Sequence, residues 1–107
     1  GPDKAAQGRA IVVGYGRMGQ IVSQMLHAVD CDVTLIDKKP AQIELSGSFD
    51  VKVYYGDGLR LDVLHQAGAD QASLIVFCID DASMSDEQMA PIVHAFPNAR
   101  IVARAYD

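Results

Sequence analysis

Ala10-Ile11-Val12-Val13-Gly14-Tyr15-Gly16-Arg17-Met18-Gly19 decides the fold. Four apolar residues of strand character run into Gly-x-Gly-x-x-Gly, and a helical pattern begins at its far end. Met18, Ile21, Val22, Met25, Leu26 and Val29 recur at i, i+3, i+4, i+7, i+8 and i+11, one face of an amphipathic helix. Strand, glycine turn and helix in that order are what a phosphate site requires. Gly14 permits a tight turn, Gly16 lets backbone approach a phosphate, and Gly19 lets the helix pack on the sheet. The helix start adds unpaired N–H groups and a partial positive charge. A glycine turn without a ligand is the plainer reading. Against it stands Asp37, 18 residues after Gly19, placed to end the next strand and accept ribose hydroxyls.

Outward from this stretch, short apolar runs alternate with helical patterns. Val33-Thr34-Leu35-Ile36, Val51-Lys52-Val53-Tyr54, Leu74-Ile75-Val76-Phe77 and Ile101-Val102-Ala103 read as strands two to five. Pro40 opens a helix, at a position where a missing N–H costs nothing. Arg60 to Ala67 reads as a short helix stopped by Gly68. The helix before the last strand carries Met89, Ile92, Val93 and Phe96, with Ser85 and Gln88 resembling a capping box. Pro91 implies either a late start or a kink, and the kink is favoured. Strands apolar on both faces and alternating with helices give a doubly wound parallel α/β sheet of Rossmann type, helices on both faces, in order 3-2-1-4-5.

A chain of 107 residues is one domain. Gly1-Pro2 resembles the remnant of a cleaved tag, so residues 1–3 are set aside and 4–107 are read as a single domain. Asp107 follows the last strand so closely that the domain is expected to be truncated at its C-terminal end. The net charge of -5, without clustered Lys or Arg, argues against nucleic acid. No apolar run approaches the roughly 20 residues that span a bilayer. Cys31 and Cys78 lack metal-ligand spacing and read as reduced, buried thiols.

The other candidate site residues cluster after the strands. Lys38 and Lys39 follow Asp37; a cation there could recruit a phosphate, whereas a solvated surface is the plainer reading. Asp37 itself would repel a 2′-phosphate, disfavouring NADP. Gly56-Asp57-Gly58 suits the wall of an adenine pocket, the Asp57 carboxylate accepting from the exocyclic amine or, equally, capping the next helix. Ile79, Asp80 and Asp81 end the fourth strand where strand order reverses. Ile79 could cover a base, and Asp81 reads best as a cap. Arg17 is a planar fork donor inside the glycine loop, suited to clamp a phosphate, with a surface ion pair as its rival role. His27, His65 and His94 are dispersed on helices. No acid, base and nucleophile converge, so the chain reads as a binder without catalytic residues or a metal.

The run Ile11 to Val22 closely resembles the start of an RCK domain, also called KTN or TrkA-N. Within that superfamily it looks most like the cytosolic domain of Kef-type glutathione-gated potassium efflux systems. The likeness continues through Tyr55-Gly56-Asp57-Gly58, Ile79-Asp80-Asp81 and Ala103-Arg104-Ala105. The resemblance implies a homodimer on the cytoplasmic face of a bacterial inner membrane, beneath an antiporter domain in the same protein. It implies AMP or NAD(H) in the crevice, and gating of potassium efflux by glutathione or its conjugates. A quinone-oxidoreductase-like ancillary subunit is a further implied partner. By motif match Gly14, Gly16, Arg17 and Gly19 hold phosphate, Asp37 the ribose and Asp57 the adenine side, while Tyr15, Met18, Lys38, Gly56, Gly58, Ile79 and Asp80 complete the expected cofactor-binding set. Arg104 matches an arginine that contributes to glutathione binding, its rival role being an ion pair at the strand end. Departures from the family pattern are Pro91 within a helix, Tyr106 where an arginine is frequent, and the early end of the chain. Two other readings stay open: the cofactor half of an NAD-dependent oxidoreductase, and a standalone regulatory subunit of a Trk-type uptake system.

Overall fold

The structure, a computed structural model, describes residues 8–39, 51–79 and 84–103. Five strands, β1 (Arg9–Val13), β2 (Asp32–Asp37), β3 (Lys52–Tyr55), β4 (Leu74–Phe77) and β5 (Arg100–Ala103), form one sheet in the order β3-β2-β1-β4-β5. Every neighbouring pair is parallel, with Val13 opposite Ile36 on one side and Phe77 on the other. This is the expected doubly wound sheet. Three α-helices connect the described strands: α1 (Arg17–Ala28), α2 (Leu61–Gln66) and α3 (Asp86–Ala95), with a 3-10 turn at Ala69–Gln71. The helix expected to open at Pro40 lies outside the described residues.

The two sheet faces build two cores. Ile11, Val13, Ile36, Ile75 and Phe77 pack under α2 and α3 with Leu64, Met89, Ile92 and Phe96. Val12, Val33 and Leu35 pack on the other side with Tyr15, and with Val22 and Leu26 from α1. Alternation along β1 therefore feeds both layers, which is why its sequence is continuously apolar.

Gly68 ends α2 in the left-handed region at φ 93, as its place after Ala67 predicts. The capping residue of α3 is Ser85, whose hydroxyl accepts from the Gln88 N–H at 3.2 Å. The helix runs through Pro91 from Asp86, so it does not start late; proline removes only the N–H that would bond the Glu87 carbonyl. Met89, Ile92 and Phe96 are buried as expected, but Val93 is exposed. His65 Nδ1 lies 2.8 Å from an Asp70 carboxylate oxygen and its ring packs on Phe96, which ties α2 to the 3-10 turn and to the end of α3. Burial pushes the Cys31 thiol up, with Asp32 adding to the effect, and the thiol donates to the Gly8 carbonyl.

Helix α1 buries only part of the face its sequence suggests, Val22 and Leu26. Its buried residues are Gly19 and Ser23, while Met18, Ile21, Met25 and Val29 are 46%, 48%, 64% and 64% exposed. The rotation is set by Gly19, where a side chain would collide with the Gly14 carbonyl oxygen. At about 100° per residue, fixing Gly19 on the sheet brings Ser23, Val22 and Leu26 beneath the helix and turns the other apolar residues outward. Ser23 is fully buried, and its hydroxyl has no partner among the described residues. Removing an orphaned hydroxyl relieves its desolvation cost. Ser23→Ala should therefore raise the melting temperature by a few degrees, about 4–8 °C per kcal/mol gained. A lower melting temperature would mean that the hydroxyl is bonded after all.

Candidate functional site

Strand order reverses between β1 and β4, so the loops leaving their C-terminal ends diverge and open a crevice. A cavity of about 400 Å³ lies there, walled by the glycine loop, the end of β2, the Gly56–Leu59 turn and the end of β4. Of the expected site residues, Gly14, Tyr15, Gly16, Asp37, Lys38, Gly56, Asp57, Gly58 and Ile79 line it.

The loop is held by backbone bonds to the strands on either side. The Gly14 N–H donates to the Ile36 carbonyl at 2.7 Å, and the Cys78 N–H donates to the Val13 carbonyl at 2.8 Å. Gly14 has φ 92, and a Cβ there would sit 2.8 Å from the Cys78 carbonyl oxygen. Glycine is required at this position on both counts. The Tyr15 side chain turns away into the α1-side core, where burial pushes its phenol up. Its contribution to the crevice wall is therefore backbone.

Gly16 caps α1 without a side chain, and no acidic residue occupies the first turn. The N–H groups of Arg17, Met18 and Gly19 thus have neither an intrahelical acceptor nor a capping oxygen from residue 16. That leaves the positive end of the helix dipole un-neutralised by its own first turn. Arg17 and Met18 are exposed and stand outside the cavity wall, while Gly19 is buried beneath the loop.

Asp37 serves two loops at once. One carboxylate oxygen accepts from the Tyr15 N–H at 2.9 Å and the other from the Lys39 N–H at 3.2 Å. A carboxylate offers about four acceptor positions, so two remain for hydroxyls of a ligand. The Asp37 carbonyl accepts from the Gly56 N–H at 2.9 Å, joining β2 to the next wall of the crevice.

Asp57 does not cap α2. The N-cap is Arg60, and Asp57 Oδ1 accepts from the Leu59 N–H at 2.9 Å, closing an Asx turn. Its Oδ2 lies 3.9 Å from Lys38 Nζ, so the pair spans the β2 and β3 ends. Gly58 is buried against Val13, whose side chain a Cβ would overlap. Asp80, Asp81 and Arg104 lie outside the described residues.

Lys39, raised with Lys38 from the sequence, lines the cavity too, as do Val13, Ile36, Leu59 and Cys78, which sequence reasoning did not place there. The signal was available for three of them: Val13, Ile36 and Cys78 sit at the ends of parallel strands, where such crevices form. Cys78 is half-buried rather than a sealed core thiol. Among the described residues no group of His, Cys, Asp or Glu could hold a metal.

The model of the TrkA-N domain matches residues 10–107, nearly the whole chain. This chain belongs to the TrkA-N family. A glutathione-regulated potassium-efflux system protein KefC of Klebsiella pneumoniae is 39% identical over 101 residues, 94% of this chain and 16% of that protein. The chain thus spans about a sixth of the length of such relatives. Among solved structures, a Kef CTD of Shewanella denitrificans in AMP-bound form is 38% identical, with a TM-score of 0.75 over 92% of this chain and 59% of that one. The TrkA-N domain of the inner membrane protein YbaL from Escherichia coli has a TM-score of 0.81 at 23% identity, covering 94% of this chain and 74% of that one. That last likeness bears on the fold of this TrkA-N domain alone. No helix among its described residues is long and apolar enough to cross a membrane.

Proposed function

We propose that this TrkA-N domain is the regulatory part of a potassium efflux system, and that an adenine nucleotide, AMP or NAD(H), occupies its crevice as a signal rather than a substrate. The observation that carries the reading is the glycine loop, which lines one cavity with the Asp37 carboxylate and leads at Gly16 into the uncapped start of α1. An anion binds a helix start with free N–H groups, and a ribose binds a carboxylate with open acceptor positions. The AMP-bound Kef CTD supports the same ligand class.

In this reading Gly14, Gly16 and Gly19 shape the loop, Arg17 swings in to clamp phosphate, Asp37 takes the ribose, and Asp57 faces the adenine under Ile79. The wider assembly belongs to the same proposal: a membrane transporter as partner, a position on the cytoplasmic face, a homodimer and glutathione-linked gating, of which the likeness to glutathione-regulated potassium-efflux proteins supports the transporter and the gating. Binding regulates only if the nucleotide favours one state of that assembly over another.

Binding without turnover is the expected result. Titrated AMP or NADH should raise the melting temperature with occupancy, by about 2.7 kcal/mol of stabilisation at a hundredfold excess over Kd. Steady NADH oxidation by the purified chain with a simple acceptor would instead make it half of an oxidoreductase.

A further inference from the structure

The crevice carries a cation beside the position assigned to the ribose, and a carboxylate already engages it. Lys38 follows Asp37 directly, so its side chain reaches the space around the ribose 2′ position. A free ammonium there would recruit a 2′-phosphate, as basic residues do in NADP sites. Its Nζ instead lies 3.9 Å from Asp57 Oδ2 on the neighbouring wall, after β3. Asp57 cannot easily yield, because its Oδ1 is held by the Leu59 N–H at 2.9 Å. Asp37, next to Lys38, is likewise fixed by the Tyr15 and Lys39 N–H groups. A 2′-phosphate would therefore meet two anchored carboxylates and a lysine already paired.

We propose that Asp57 is a specificity-determining residue that, by engaging Lys38 from the turn after the neighbouring strand, makes the site reject 2′-phosphorylated adenine nucleotides. The proposal rests on the nucleotide reading above and adds to it a residue pair that enforces, beyond the repulsion expected from Asp37, the exclusion of a 2′-phosphate. The pair is partly exposed, Lys38 at 64% and Asp57 at 36% of their side chains, so the effect of releasing it is moderate.

The test compares 5′-AMP with adenosine 2′,5′-bisphosphate by isothermal titration, two probes that differ only in the 2′-phosphate. Asp57→Asn keeps the oxygen that accepts from Leu59 and removes the charge that holds Lys38. It should shift the affinity ratio towards the bisphosphate by roughly two- to fivefold. Because both probes carry the same adenine, any lost contact to the base cancels in the ratio. Adding Lys38→Ala to Asp57→Asn should return the ratio to the wild-type value or below, whereas Lys38→Ala alone should change it little. An unchanged ratio in Asp57→Asn, with 5′-AMP still bound by the wild type, would overturn this proposal alone. So would a gain that persists without Lys38. A wild-type chain that binds neither probe would overturn the nucleotide reading and this proposal with it.

Discussion

Gly19→Ala should lower the melting temperature of this domain by about 10 °C or more, a larger loss than any other single methyl group placed in the glycine loop. The added Cβ would collide with the Gly14 carbonyl oxygen, a backbone atom that cannot rotate aside. Gly14 cannot retreat either, because its N–H is bonded to the Ile36 carbonyl and the preceding Val13 carbonyl accepts from the Cys78 N–H. The helix must then lift off the sheet, exposing Ser23 and loosening Val22 and Leu26 over the core. Overpacking of this kind costs about 1–3 kcal/mol, and each kcal/mol moves the midpoint by about 4–8 °C. Gly16→Ala supplies the contrast. Gly16 has φ -78 and ψ -159, angles open to any residue, so alanine there should cost under about 1 kcal/mol of stability. Its damage should fall on phosphate binding, through lost close approach of the backbone. Thermal melts of both variants, with and without AMP, separate the two roles. Equal stability of Gly19→Ala and the wild type would show that the loop and helix are not locked together.

The strand pattern was legible because parallel strands buried on both faces leave continuous apolar runs, and a crossover rule then fixes their order. The rotation of α1 was legible only in part: Gly19 was read as the helix–sheet contact and is one, but the apolar pattern around it pointed elsewhere. Its apolar periodicity is dominated by Met18, Ile21, Met25 and Val29, yet the smallest residues, Gly19 and Ser23, carry the contact with the sheet. Hydrophobicity marks what prefers burial; close approach selects what fits. The crevice shows the same division. Glycines and acids announced themselves by type and position, while Val13, Ile36 and Cys78 entered it as strand ends whose apolar character had a sufficient explanation in the core. Asp57 read equally as an adenine contact or as the cap of the next helix; the structure places the cap at Arg60 and uses Asp57 Oδ1 to close an Asx turn, because both roles draw on the same short carboxylate.

The nucleotide should be divided between two anchors that fail on different ligands. Asp37→Ala should weaken adenosine, AMP and NADH alike, because all three present the adenosine ribose to the carboxylate. Arg17→Ala should weaken AMP and NADH while leaving the feebler binding of adenosine almost unchanged. Charge-assisted hydrogen bonds are worth about 1.5–3 kcal/mol each, roughly ten- to a hundredfold in affinity. The structure adds a second route by which Asp37 could act, since its carboxylate also holds the Tyr15 N–H and so the glycine loop itself. The two routes predict different patterns. A loss through the ribose is the same for adenosine and AMP, whereas a loss through a slackened loop falls on the phosphate and spares adenosine. Isothermal titration of the three ligands against both variants reads the pattern directly. If Asp37→Ala penalises AMP but not adenosine, the acid is a brace for the loop and the ribose assignment is wrong. If Arg17→Ala costs adenosine as much as AMP, the guanidinium supports the fold of the loop and clamps nothing. Arg17 is exposed at the first position of α1 and stands outside the cavity wall, so its route to a phosphate is a swing of the side chain. A clamp that closes only on the ligand should leave the melting temperature of the ligand-free Arg17→Ala domain where it was.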